Sequence, residues 1–183
     1  MAGSWQVQTL SRSVPLSIIH SMSNIQAGSQ KKPLHPPITI AQLRALQLTL
    51  SLSKPFNACL WAMATCVFWG LMRFGKVLVP SRNAFSPSKH LTRGGVWAGF
   101  DDDSKCYYQL DLPSAKIATA GEIQHIFLIK QPGLCPMKAL KNMVSVVPAK
   151  MDNLLFTWRD NKGKLCLMMK SAAINCINAI LSK

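Results

Sequence analysis

Acidic side chains are scarce in this sequence and they come late. No Asp or Glu precedes Asp101, so residues 1–100 carry ten cations and no anion, and the whole chain sets 21 Lys and Arg against 7 Asp and Glu. A globular enzyme acting on a neutral metabolite has no use for such a field. A protein that lies along phosphates does, because Lys and Arg displace condensed counterions there. The competing accounts of the same charge are a basic solubility surface and a polybasic membrane-surface protein.

Other absences narrow the chemistry. The six cysteines (Cys59, Cys66, Cys106, Cys135, Cys166 and Cys176) form no CxxC pair and have no histidines at zinc spacing, so neither a metal site nor a disulfide framework is expected. Cys59 and Cys66 lie in an apolar run and read as small hydrophobes. No charged segment followed by an apolar block opens the chain, and Arg12 is the only Arg of its first 37 residues; a secretory or transit leader is therefore not expected. The longest apolar stretch, Cys59 to Met72, has fourteen residues against the about 20 that a membrane span requires. No phosphate-binding glycine loop, GxSxG elbow or HExxH helix occurs. Tyrosine is limited to Tyr107 and Tyr108, and no histidine follows His125.

What is present suits one domain behind a linker. At 183 residues with 49% apolar side chains, the chain has material for one packed core. Residues 1–37, rich in Ser, Gln and Pro and ending Lys31-Lys32-Pro33-Leu34-His35-Pro36-Pro37, read as an extended basic hinge with room for a short helix in 14–25. Thr39 is a plausible N-cap for a helix over 39–52 carrying Leu43, Leu46 and Leu50 on one face. Pro55 starts a second helix that is apolar nearly all round through Met72, with Gly75 at its end. Residues 80–94 read as loop. Three strands follow, at 96–100, 106–112 and 123–129, the last two joined by a turn carrying Lys116. A helix from Pro136 presents Ala139, Leu140, Met143 and Val147, a hairpin joins 154–158 to 165–168, and a last helix over 171–181 offers Ala172, Cys176, Ala179 and Ile180 for packing. The predicted class is mainly α with a small antiparallel sheet, α+β.

Arg73 is the residue with most chemical interest. It closes an apolar helix, where a guanidinium stripped of water needs an anion, and its planar fork suits phosphate or carboxylate. The plainer alternative is an arginine that snorkels to solvent. Lys116, in a turn, can reach a ligand or simply be a surface lysine. His90 and His125 have no companions at a metal or triad spacing, and Asp101-Asp102-Asp103 reads as a solvated acidic turn more readily than as a cation site.

Taken together, residues 36–183 resemble the tyrosine recombinases, the phage-integrase-like DNA breaking–rejoining enzymes, and among them the recombinase-like frames of fungal genomes. Pro37-Ile38-Thr39-Ile40-Ala41-Gln42-Leu43 is similar to the opening of the family's catalytic domain. Phe68-Trp69-Gly70-Leu71-Met72-Arg73-Phe74-Gly75-Lys76-Val77-Leu78 resembles the helix end that holds its first catalytic arginine. Leu110-Asp111-Leu112-Pro113-Ser114-Ala115-Lys116 followed by Glu122-Ile123-Gln124 resembles the hairpin of its catalytic lysine. Pro132-Gly133-Leu134-Cys135-Pro136 and Leu155-Phe156-Thr157-Trp158-Arg159-Asp160 resemble later framework.

The resemblance implies a partial catalytic domain over 38–183, with 1–37 the remnant of a helical DNA-binding domain. It implies DNA as partner, with self-association or another recombinase chain as further partners. It also implies an intracellular, nuclear protein derived from a mobile element, with no cofactor, no metal and no membrane. Arg73 would clamp a phosphate, Lys116 would protonate a departing oxygen, and Lys31, Lys32, Arg44, Lys89 and Arg93 would line DNA. The family's His-x-x-Arg segment and nucleophilic tyrosine have no counterpart after Lys116, so the expected product binds DNA without cutting it. Lys76 stands where the family has an acid. Two other functions stay open: half of a site completed by another chain, and a basic structural or membrane-surface protein.

Overall fold

The computed structural model describes residues 38–113 and 123–182; these lie in the second of the two units into which the chain divides, residues 38–183. The hinge and short helix expected within 1–37 and the turn expected at 113–122 therefore fall, but for Pro113, outside the described residues. Among the described residues the architecture is α+β: five α-helices, a three-stranded antiparallel sheet and a separate two-stranded hairpin.

Helix α1 (Ile40–Thr49) begins at a reciprocal cap. Thr39 Oγ1 accepts from the Gln42 amide at 3.2 Å, and Gln42 Oε1 accepts from the Thr39 amide at 2.9 Å. Two amides that the first turn cannot pair are satisfied in this way. Leu43, Leu46 and Leu50 are buried, as their spacing predicts.

Helix α2 (Pro55–Trp69) is the axis of the core. Every residue from Ala58 to Cys66 is buried, on all faces of the helix. The Thr65 hydroxyl there donates to the carbonyls of Trp61 and Ala62 at 3.0 Å and so is not left unpaired in the interior. Cys59 and Cys66 sit inside with their thiols pushed up by burial, the state of inert hydrophobes.

The helix ends earlier than its apolar run. Gly70 is the C-cap, Leu71 takes the left-handed conformation at φ 50°, and Met72 N–H returns to Val67 O at 3.0 Å while Leu71 N–H reaches Phe68 O at 3.4 Å. That is a Schellman closure with leucine where glycine is usual. The stop at Gly75 expected from sequence is thus corrected: Gly75 lies within a four-residue helix α3 (Phe74–Val77), and Arg73 is its N-cap. Hydrophobicity alone could not locate the stop, because Leu71 and Met72 continue the apolar pattern after the backbone has turned.

Strands β1 (Val96–Phe100), β2 (Cys106–Leu112) and β3 (Gln124–Ile129) form a meander in the order β1-β2-β3. The register sets Trp97 opposite Gln109 opposite Phe127, and Asp111 opposite His125. Alternation sends Leu110, Leu112 and Leu128 into the core and leaves Trp97, Phe127 and Ile129 in solvent.

Helix α4 (Pro136–Val146) packs along α2 through Ala139, Leu140 and Met143. Strands β4 (Thr157–Arg159) and β5 (Leu165–Leu167) make the hairpin, with β4 against α2. Helix α5 (Lys170–Leu181) lies against α1 and buries Ala173 and Ile177. The sequence expected Ala172, Cys176, Ala179 and Ile180 on that face. Cys176 and Ile180 do pack half-buried against the core, while Ala179 is exposed and the fully buried positions are Ala173 and Ile177, since small and apolar side chains occur on both sides of this helix and periodicity leaves its exact angle open.

Candidate nucleic-acid interface

Four of the cations expected at a DNA surface or phosphate clamp are placed by the structure. Arg44 on α1, Arg73 at the start of α3 and Lys89 in the loop are exposed, and none has a side-chain partner among the described residues. Arg73 stands at the edge of a groove of about 780 Å³ bounded by α1, the end of α2, α3 and α5. The groove is apolar, lined by side chains such as Leu43, Val67, Phe68, Phe74 and Ile177; among the described residues its cations are Arg73 and Lys170, and no acidic one lines it. A guanidinium held here is water-exposed on one side and backed by hydrocarbon on the other, which favours an anion brought by a ligand over one supplied by the fold. Lys76 lies within α3, one turn past Arg73.

Arg93 is a correction. The sequence places it among the exposed cations, but it is 6% exposed. Its Nη1 donates to Val147 O at 2.7 Å and its Nη2 to Thr157 Oγ1 at 3.0 Å, while Nε is buried with no partner among the described residues. Burial draws this guanidinium below its usual range; the Cys59 thiol opposes that shift and the neighbouring Arg159 adds to it. Its position explains the burial. The Arg93 and Gly94 amides bond to Asn153 O and Met151 O, so the turn that enters β1 is sewn to the segment after α4. Arg159 has a related task, donating to Gly163 O at 2.7 Å and Pro148 O at 3.0 Å. No sequence feature separates these two arginines from the surface ones. Lys31, Lys32 and Lys116 lie outside the described residues.

A polar cluster on the sheet escaped the sequence reading altogether. The Asp111 carboxylate accepts from Trp97 Nε1 at 2.8 Å and Gln109 Nε2 at 2.7 Å, and its Oδ1 lies 2.7 Å from His125 Nδ1. Partial burial pushes the Asp111 pKa up, but the hydrogen bonds from Gln109, His125 and Trp97 together with the His125 charge outweigh it, and the carboxyl rests below its ordinary value. His125 thus has a companion after all; the spacing that joins them is the β2–β3 register, which residue order does not display. His90 is a loop brace, its Nδ1 3.1 Å from both the amide and the carbonyl oxygen of Ser86. The Asp101 carboxylate accepts from the amides of Asp103 and Lys105, turning inward onto its own turn. Among the described residues no group of His, Cys, Asp or Glu is arranged to hold a metal, and no helix is long and apolar enough to cross a membrane.

No protein-family model matches the chain, and no curated protein matches it. Among solved structures it is similar to an Flpe–Holliday junction complex (TM-score 0.46, 12% identity, covering 92% of this chain and 41% of that one). It is likewise similar to FLP recombinase–Holliday junction complex I (TM-score 0.48, 14% identity, covering 92% of this chain and 42% of that one). The chain spans about two fifths of the length of these structures.

Proposed function

We propose that this chain is a DNA-binding protein derived from a tyrosine recombinase, and that it does not cleave strands by itself. Charge carries the reading: ten cations and no anion in residues 1–100, with Arg44, Arg73 and Lys89 exposed and unpaired among the described residues. Exposed, uncompensated guanidinium and ammonium groups are what displaces counterions from a duplex. The packing of its two tyrosines supports the second half of that reading. Tyr108 packs against the core, and Tyr107 lies across Gly99 with its ring edge-on to Phe127 at 5.4 Å. A hydroxyl employed in sheet packing is not poised as a nucleophile. The reading implies a nuclear protein of mobile-element origin.

The test is duplex affinity against salt for the full chain. Log affinity is expected to fall linearly and steeply with log salt, and a flat response removes the DNA reading. The apolar groove beside Arg73 favours one second reading, a half-site completed by another chain. A suicide DNA substrate distinguishes the two: an adduct on Tyr107 or Tyr108 refutes the first, and an adduct on an added recombinase chain, formed only when this chain is present, establishes the second.

A further inference from the structure

The outer face of the sheet is aromatic, exposed and opposite in charge to the rest of the protein. Trp97, Phe127 and Ile129 are each more than half exposed, and Tyr107 stands between them in the register. This surface is built to a shape. A Cβ on Gly99 would lie 2.6 Å from the Tyr107 ring, so glycine there lets the ring lie flat across β1, and Phe127 then meets it edge-on at 77°. The Trp97 indole is anchored by its bond to Asp111, and the carboxylate is fixed in turn by Gln109 and His125. Aromatic rings held this firmly in water point to a partner, since exposed apolar patches of this kind are otherwise unfavourable.

Charge identifies the partner's chemistry. Among the described residues of 96–130 there are four acids (Asp101, Asp102, Asp103, Asp111) and two lysines (Lys105, Lys130), a net of −2, in a chain that carries +14 as a whole. Phosphate is disfavoured at such a surface. A cation is favoured twice, by the carboxylate and by the negative faces of the rings. Carboxylates also stand at both ends of the aromatic strip, Asp111 at one and the exposed Asp102 in the β1–β2 turn at the other. The five residue steps from Cys106 to Asp111 span about 17 Å at strand rise. That is the reach of an extended peptide with two cations about five residues apart.

We propose that the outer sheet face is a docking surface for an extended cationic peptide, one arginine or lysine seated at Trp97, Phe127 and Asp111 and a second toward Asp102. This is independent of the DNA reading and uses none of its residues. The experiment titrates the full chain into a dye-labelled eight-residue peptide with arginines near both ends, and into the same peptide with glutamines. The arginine peptide is expected to bind saturably, to weaken with salt, and to lose at least about tenfold in affinity with Trp97→Ala, Phe127→Ala and the isosteric Asp111→Asn. Duplex binding by these variants stays as in the parent, and Arg73→Ala leaves peptide binding unchanged. Equal binding of the glutamine peptide, or parental affinity in Asp111→Asn, overturns the proposal. So does a single-stranded oligonucleotide that binds in a Trp97-dependent way while the arginine peptide does not.

Discussion

The guanidinium of Arg93 donates to the carbonyl of Val147 at 2.7 Å, across 54 positions of sequence. With Thr157 as its second acceptor it links the entry to β1, the end of α4 and β4, adding to the bonds that Gly94 and Arg159 make between the same elements. Truncation leaves Val147 O and the Thr157 hydroxyl unpaired in the interior and opens a cavity. Arg93→Ala is expected to destabilise the fold by about 2–4 kcal/mol in urea unfolding. Arg93→Met should cost less than Ala, because no anion neighbours the buried charge, and replacing it with hydrocarbon of similar volume removes a desolvation penalty. Equal losses in both variants would show that the hydrogen bonds, not the space, decide.

The end of α2 provides a second, opposite pair of effects. Leu71 adopts φ 50° and is 92% exposed, so its side chain gains nothing from the position that its backbone pays strain to hold. Leu71→Gly is expected to raise stability by about 1 kcal/mol, seen as a higher urea midpoint with an unchanged slope. Gly70 is the reverse case: a Cβ there would lie 2.8 Å from Cys66 O and 2.9 Å from Ile126 Cγ2, where β3 closes onto the helix. Gly70→Ala should therefore cost about 1–3 kcal/mol, in the range of overpacking.

These positions also mark how far the residues speak for the fold. Thr39, Pro55, Pro136 and the alternation through β2 announce their elements because each acts locally, through a cap, a fixed φ or a two-residue period. Leu71 does not, since its backbone state is imposed by the Gly70 cap and the closure onto Val67. The candidate surface divides in the same manner. Arg73 is legible as the cation that ends an apolar run, while Arg93, in an equally basic stretch, differs only in which distant carbonyls it meets. The Trp97–Asp111–His125 cluster is assembled by strand register, a property that appears only once three strands are aligned.

Asp111 gives the chain a defined acid sensitivity. Its folded pKa lies below its unfolded one, so the folded state prefers the carboxylate. The stability this contributes is fully present above the ordinary aspartate value of about 3.9 and is lost as pH falls through the depressed folded value. Asp111→Asn removes that dependence. Thermal unfolding followed from pH 6 down to pH 2 should show the parent losing stability below about pH 4 more steeply than the variant. Parallel profiles would mean that the three hydrogen bonds do not hold the carboxyl in its charged form.

The DNA reading makes its sharpest demand on the contrast between exposed and buried arginines. Neutralising one cation that touches phosphate removes one released counterion, so the slope of log affinity against log salt should become shallower by about 0.9. Arg73→Ala, Arg44→Ala and Lys89→Ala, all at exposed sites, are expected to show that change with unfolding midpoints close to the parent. Arg93→Met should do the opposite, shifting stability while leaving the slope as it was, because a guanidinium that is 6% exposed and bonded to Val147 and Thr157 has no face to offer a duplex. If Arg93→Met flattens the slope in a protein that remains folded, the turn before β1 must open on DNA. If the three exposed variants keep the parental slope, phosphate is held elsewhere and Arg73 is only a snorkelling arginine at the edge of an apolar groove.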